Sequence, residues 1–248
     1  MIDAHAHLDA CEPGAEELIA RARAAGVETV VSVGAGIDSC RETIAIAECY
    51  EEIFAILGVH PHQAGEADTG RLGELEALLV SPRAVALGEI GLDYFRDRAP
   101  RSAQRELFAA QLGLAARIGK PVVIHTREAD DDTSAALEDF AGTIVLHCFS
   151  SPALLPWALE RDCYISFAGN VTYQKSDDLR SAARLVPPER LLVESDCPYL
   201  APQPKRGHPN EPAFIVHTLS ALAELRGESV GELAERTAAN TRAAFCLP

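Results

Sequence analysis

Short apolar runs of strand length recur along this chain at a regular interval. Eight of them are rich in Val, Ile, Leu or Ala, at residues 1–8, 27–33, 53–59, 84–91, 121–127, 142–149, 163–168 and 190–196. Stretches with helical spacing lie between them. Residues 14–25 carry Leu18 and Ile19 and run into Gly26, where a left-handed cap is easy. Residues 38–50 open on Asp38, a good N-cap. Residues 101–118 space Leu107, Phe108, Leu112, Leu114 and Ala115 as a helix does and stop at Gly119, ahead of Pro121. The tail, 211–247, reads as one or two helices with a break near Gly227. Eight units share 248 residues, about 31 each, which accommodates a strand, a helix and two loops. Strands alternating with helices imply a parallel sheet. Eight such units in this length predict a (β/α)8 TIM barrel, class α/β, filling one domain over 1–248. The alternative is an open doubly wound sheet. No linker, low-complexity segment or repeat marks a domain boundary.

In a barrel of this kind the C-terminal ends of the strands carry the chemistry. Strand one ends in His5-Ala6-His7. The i, i+2 spacing puts both imidazoles on one face, with Ile2, Ala4, Ala6 and Leu8 on the other, toward the helices. Strand three ends in His60-Pro61-His62, and strand four in Glu89, within Gly88-Glu89-Ile90-Gly91-Leu92-Asp93. Strands five, six and eight end in His125, His147 and Asp196. Six of the eight histidines therefore occupy strand ends, which is not scatter. Imidazole and carboxylate together suit zinc, manganese or a similar divalent ion. Five or six ligands exceed the needs of one tetrahedral ion and suit two, with a carboxylate between them. Glu89, from the middle of the ring of strands, is the expected bridge. A lone buried His is more often a hydrogen-bonded core residue, but the shared position argues for ligation at His5, His7, His125 and His147. His60 and His62 are read instead as caps of the strand-three loop or as substrate contacts.

Charge narrows the possible partners. Lys and Arg number 22 against 37 Asp and Glu, a net charge of −15. A protein that coats duplex nucleic acid by charge alone needs a basic footprint that this chain lacks. An enzyme whose hold on phosphate comes through bound cations is not excluded. Local basic groups do occur: Arg96, Arg98, Arg101 and Arg105 near the end of strand four, and Lys205 and Arg206 after strand eight. They are read as a hold on a nucleic-acid backbone or as solvated surface. The acidic run Glu128 to Asp132 falls where the fifth helix begins and complements its N-terminal dipole. No apolar run approaches the roughly 20 residues of a membrane helix, and the N-terminus has no signal-peptide pattern. Seven cysteines, an odd number with no C-x-x-C pair, read as reduced thiols. A cytoplasmic monomer is expected.

The motifs in combination resemble the TatD-type metal-dependent DNases, within the amidohydrolase-like metallohydrolase barrels. The matching stretches are Ile2 to Leu8, Gly58 to His62, Gly88 to Tyr94, Pro121 to Ala129, Leu146 to Ser150, Glu194 to Pro202 and Asn210 to Pro212. They span the chain. The resemblance implies that His5, His7 and Asp196 hold one metal, that His125 and His147 hold a second, and that Glu89 bridges both. Two departures are visible. Ser151 stands where the family usually has Gly, and His208-Pro209 follows Arg206-Gly207 where a basic pair is usual before Asn210. Neither touches a ligand.

The expected cofactors are thus two divalent ions, Zn, Mn or Mg. Such a pair activates a water for in-line attack on phosphorus, with Asp196 as proton acceptor and Glu89 as the other catalytic carboxylate. DNA or a nucleotide is the expected substrate, with short or single-stranded 3′ ends handled better than duplex interiors. Arg127, on the same strand face as His125, is read as binding phosphate or pairing with an acidic neighbour. Tyr94 is read as stacking on a base, Arg206 as a phosphate contact, Asp93 as a turn or cap residue, and Glu194 as orienting a ligand. The rival reading keeps the metals and changes the bond to an ester or amide, as in a deacylase acting on aminoacylated nucleotide. A non-catalytic metal-binding scaffold is disfavoured by a complete ligand ring with water access.

Overall fold

The computed structural model describes residues 1–65 and 70–248. Eight strands form one sheet in chain order: β1 (Ile2–Ala6), β2 (Thr29–Ala35), β3 (Ile53–Gly58), β4 (Ala84–Asp93), β5 (Val122–Arg127), β6 (Ile144–Leu146), β7 (Tyr164–Phe167) and β8 (Leu191–Val193). Every paired neighbour is parallel. Parallel neighbours require a crossover between them. Among the described residues these crossovers are helical: α1 (Ala15–Ala24), α2 (Ile37–Cys49), α3 (Leu72–Leu78), α4 (Arg101–Ile118), α5 (Asp130–Leu137), α6 (Leu155–Glu160) and α7 (Asp177–Leu185). The tail is α8 (Ile215–Arg226) and α9 (Val230–Phe245). They part at Gly227, whose φ of 66° only glycine adopts freely.

The sheet closes along a seam between β8 and β1. Asp196 N donates to His5 O at 2.9 Å, and His7 N donates to Cys197 O at 2.8 Å. The Asp3 carboxylate accepts from Ser195 N at 2.8 Å and joins the same seam. An α/β barrel is thus observed, in place of the open sheet that was its alternative.

Two apolar layers follow from closure. One cluster takes residues from all eight strands, among them Ile2, Val31, Ile56, Ala86, Val123, Val145, Tyr164 and Leu192. Only the barrel interior can be shared by all eight. The larger cluster lies between strands and helices. Strands buried on both faces read as near-continuous apolar runs, as β3 does with every residue buried. Helix α9 adds Ala238, Ala244 and Phe245 to the interior cluster. Its Asn240 donates to the carbonyls of Pro188 and Leu191, at the start of β8. The N-terminal end of the barrel is therefore covered, and the C-terminal rim carries the polar groups.

The alternation expected in the first strand is broken. Ile2 and Ala4 lie in the interior cluster, while Ala6 and Leu8 pack outside. The β1–β2 register slips between Asp3 and Ala6. A bulge there shifts which side chains face inward. Strands β6 and β8 are also shorter than the apolar runs predict. Cys148 (φ 44°) and Asp196 (φ 57°) take left-handed conformations just past them, which a ladder cannot continue. Among the described residues no helix is long and apolar enough to cross a membrane.

Candidate metal centre

Closure of the seam fixes the first group. His5 is the fourth residue of β1, His7 follows that strand, and Asp196 lies just past β8. The seam hydrogen bonds hold their backbones in register. Asp196 Oδ1 stands 3.9 Å from His5 Nε2 and 3.6 Å from His7 Nε2. The two imidazole nitrogens face each other at 3.3 Å. A non-glycine residue in the left-handed region costs roughly 1–2 kcal/mol, so the position of Asp196 is held by its surroundings rather than by local preference.

Glu89 lies between two sets of imidazoles. Its Oε2 is 3.8 Å from His5 Nε2 and 3.7 Å from His7 Nε2. Its Oε1 is 2.7 Å from His125 Nδ1, 2.7 Å from His147 Nε2 and 3.4 Å from His60 Nε2. The two oxygens of one carboxylate thus face different halves of the rim. The glycine pattern around Glu89 makes this possible. Gly91 has φ 138°, and a Cβ there would run into the His125 carbonyl. Strand β4 can press against β5 at that level only with glycine.

Among the described residues three groups have the side chains to hold a cation: His5, His7 and Asp196; His5, Glu89 and His147; and His60, Glu89 and His125. The donor chemistry fits divalent ions, since imidazole nitrogen and carboxylate oxygen are ligands of zinc and manganese. Among the described residues neither Glu89 nor Asp196 is paired with Lys or Arg. Buried His5 Nδ1 has no hydrogen-bond partner.

Burial sets the charge states. It drives His5 well below the usual imidazole range, with His147 and His7 adding to the effect. It takes His60 down to about 4 against the pull of Glu89. Burial opposes charge on His7 too, but the Asp196 and Glu89 carboxylates outweigh it and lift that ring to about 9. Burial would raise Glu89, yet His147, His60 and His125 hold its carboxyl well below the ordinary value. An ionised carboxylate among neutral rings is the form that takes up a cation, and the rings charged here lose their protons on binding.

A further set of side chains holds the ligands in place. Asp93, buried at the end of β4, accepts from His125 Nε2 at 3.1 Å and His62 Nε2 at 2.9 Å through Oδ2. Its Oδ1 accepts from Arg96 N at 2.7 Å. The turn role expected of Asp93 is present, and the histidine contacts come in addition. Glu194 accepts from Cys148 N at 2.6 Å and lies 3.4 Å from His147 Nδ1.

The other predicted contact residues divide. His60 lies beside the Glu89–His125 group, and its Nδ1 accepts from His62 N at 3.1 Å, which in the neutral ring leaves the proton on Nε2, directed at Glu89. Arg127 makes no ion pair among the described residues; its guanidinium lies 3.8 Å from the centroid of the Phe95 ring. Arg206 is exposed and lies over Tyr173 at 4.3 Å. The stacking role expected of Tyr94 is corrected. Its ring packs against the outer core and lies under Arg101 at 4.3 Å, while its hydroxyl binds Asp132 and Arg105. No open face is left for a base.

A (β/α)8 barrel that gathers imidazole and carboxylate groups at the C-terminal rim has the form of a metal-dependent enzyme. The family model of TatD-related DNases matches residues 2–246. The chain belongs to this family. It is 42% identical to an uncharacterized metal-dependent hydrolase, TatD, of Mycobacterium tuberculosis, covering 100% of this chain and 98% of that one. It is 37% identical to the 3′-5′ ssDNA/RNA exonuclease TatD of Citrobacter rodentium, over 93% and 91% of the two chains. The crystal structure of YJJV, a TatD homologue from Escherichia coli K12, superposes with a TM-score of 0.93 at 31% identity, covering 100% of this chain and 98% of that one.

Proposed function

We propose that this metal-dependent hydrolase cleaves phosphodiester bonds of DNA, removing nucleotides from the 3′ end of single-stranded or frayed substrates. We assign two divalent cations, one to His5, His7 and Asp196 and the other to His125 and His147, with Glu89 between them. The observation that carries this reading is the division of Glu89, with Oε2 toward His5 and His7 and Oε1 toward His125 and His147. The exonuclease name of the Citrobacter relative supports the substrate class. Divalent ions held there would supply Lewis-acid activation of a water and stabilise charge on the phosphoryl oxygens.

The chain's own residues do the rest. Asp196, 7% exposed at the rim, accepts the proton released by the attacking water. His60 stays neutral at physiological pH, because its ring titrates near 4. Its Nε2 faces Glu89 Oε1 at 3.4 Å and helps hold that carboxylate in place. Glu194 and Asp93 fix the rings of His147 and His125.

Purified protein with manganese or magnesium, offered end-labelled oligonucleotides beside ester and amide substrates, tests the reading. Shortening from the 3′ end that stops on addition of EDTA is expected. Turnover confined to esters or amides, or cleavage of duplex interiors, would overturn it.

A further inference from the structure

The chain has eight Phe, five Tyr and one Trp. Among the described residues only Phe95, at 49%, and Tyr199, at 56%, are exposed. Both sit beside the candidate centre, on different sides. The other exposed large apolar residues, Val80, Leu185 and Val230, lie on or beside α3, α7 and α9 rather than in the loops that carry the ligands.

Strand register places Phe95. In the β4–β5 pair, Gly91 stands opposite His125 and Asp93 opposite Arg127. Tyr94 N donates to Arg127 O at 2.9 Å and carries the pairing one residue further. With a period of two, Arg127 follows His125 on the inward face and stands one layer nearer the mouth. The guanidinium of Arg127, 3.8 Å from the Phe95 centroid, lies against that ring and makes no ion pair among the described residues. Arg96 approaches the same ring at 5.8 Å. Phe95 is therefore an exposed aromatic face backed by an uncommitted cation, above the His125 side of the centre.

Tyr199 stands at the β8–β1 seam. Its ring meets His7 edge-on at 5.7 Å. Its N donates to Asp196 O at 2.9 Å, and its carbonyl accepts from Asn210 Nδ2 at 2.6 Å. The backbone is fixed and the ring projects beside the His7–Asp196 half. Strands one and eight lie across the barrel from strands four and five.

We propose that Phe95, backed by Arg127, and Tyr199 are stacking platforms for the two bases that flank the scissile phosphate of a single strand. The proposal rests on the nuclease reading above and deepens it. Every nucleobase offers a π-face, so such platforms hold a strand without reading its sequence. Bases stacked and paired within a duplex have no free face to offer, which favours single-stranded ends. Arg127 supplies a counter-charge next to the platform.

The test uses the metal-loaded full chain and two matched oligonucleotides, one complete and one with abasic residues at its last two 3′ positions. The readout is the ratio of kcat/KM for the two. Stacking on one aromatic side chain corresponds to a factor of roughly 5 to 150 per base. The wild type should prefer the base-bearing end by a factor in that range or above. Phe95→Ala and Tyr199→Ala should each lower the ratio, chiefly through KM, and the double variant should bring it close to unity. Phe95→Trp and Tyr199→Trp should keep the preference. A double variant that folds and still discriminates as the wild type does overturns the platforms. So does a wild type that cleaves both oligonucleotides equally, which leaves the nuclease reading standing. A wild type that cleaves neither oligonucleotide sinks both.

Discussion

Replacing Asp93 should weaken one cation and spare the other. Its Oδ2 accepts from His125 and from His62, and its Oδ1 is occupied by the Arg96 amide. With Nε2 of His125 tied to a carboxylate, the ring presents Nδ1 toward Glu89 Oε1, 2.7 Å away. Asp93→Asn can keep a hydrogen bond to His125 but loses its charge. A charged acceptor is worth about 1–1.5 kcal/mol more than a neutral one, so affinity on the His125–His147 side should fall about 10-fold. Asp93→Ala leaves the Nε2–H without a buried partner, and the loss should approach 100-fold, the upper end for groups that orient a metal-binding histidine. The cation at His5, His7 and Asp196 should change little, because none of these residues hydrogen-bonds to Asp93. Calorimetric titration of metal-free protein with zinc or manganese resolves the two sites. His62→Ala serves as the control. It removes the competing donor on Oδ2, leaves the His125 bond, and should leave both affinities within about twofold of the wild type. The reasoning fails if both Asp93 variants bind both cations as tightly as the wild type, or lose the two equally.

Two other substitutions test separate parts of the site. On the two-cation assignment proposed above, Glu89→Gln should lower the metal content, measured by plasma emission, from two ions per chain to one. It should also slow turnover roughly 1000-fold, since the lost cation takes with it several kcal/mol of stabilisation of the reacting charge. Full occupancy with normal turnover would remove Glu89 from the role of bridge. Asp3 concerns stability rather than catalysis. Burial pushes its carboxyl from 3.8 to about 7, so between those values the folded chain carries a proton that the unfolded chain has released. Stability must then fall as pH rises through this window. The loss is about 2–3 kcal/mol from pH 5 to pH 8 in chelated protein. Urea melts of Asp3→Asn should lack that part of the slope. An unchanged slope would show that Asp3 is not the group responsible.

The ligand ring was legible because strand ends are legible. His5 and His7, Glu89, His125, His147 and Asp196 each close an apolar run, and a barrel brings such ends to one rim. What escaped the sequence depends on register. The slip between Asp3 and Ala6 sends Ile2 and Ala4 inward, and no alternation pattern records it. Phe95 is a sharper case. Ending the fourth strand at Gly91 leaves Tyr94 and Phe95 as equivalent loop residues. The observed strand runs to Asp93 and a turn follows, and in that turn Tyr94 packs on the outer core while Phe95 lies exposed against Arg127. Asp93 itself was read as a turn residue because its histidine partners lie 31 and 32 positions away. Only the β3–β4–β5 packing makes those contacts.

The same register bears on how an acidic chain takes the polyanionic substrate proposed above. A net charge of −15 describes the whole surface, but at ordinary ionic strength a charge acts over about 10 Å. Near the rim Arg127, without a carboxylate partner among the described residues, and Arg96 lie against Phe95, and Glu89, Asp196 and the imidazoles are placed to hold cations, while Asp9 beside His7 and Asp93 beside His125 are acidic. Glu89 and Asp196 would be neutralised by their own ligated ions. Acidic helix faces such as the Asp130 to Asp132 turn of α5 face a long duplex laid across the barrel and repel it. A strand that enters end-on meets the cationic rim while most of its phosphates stay in solvent beyond the screening distance. The preference for ends proposed above then rests on where the charges sit, not on their sum.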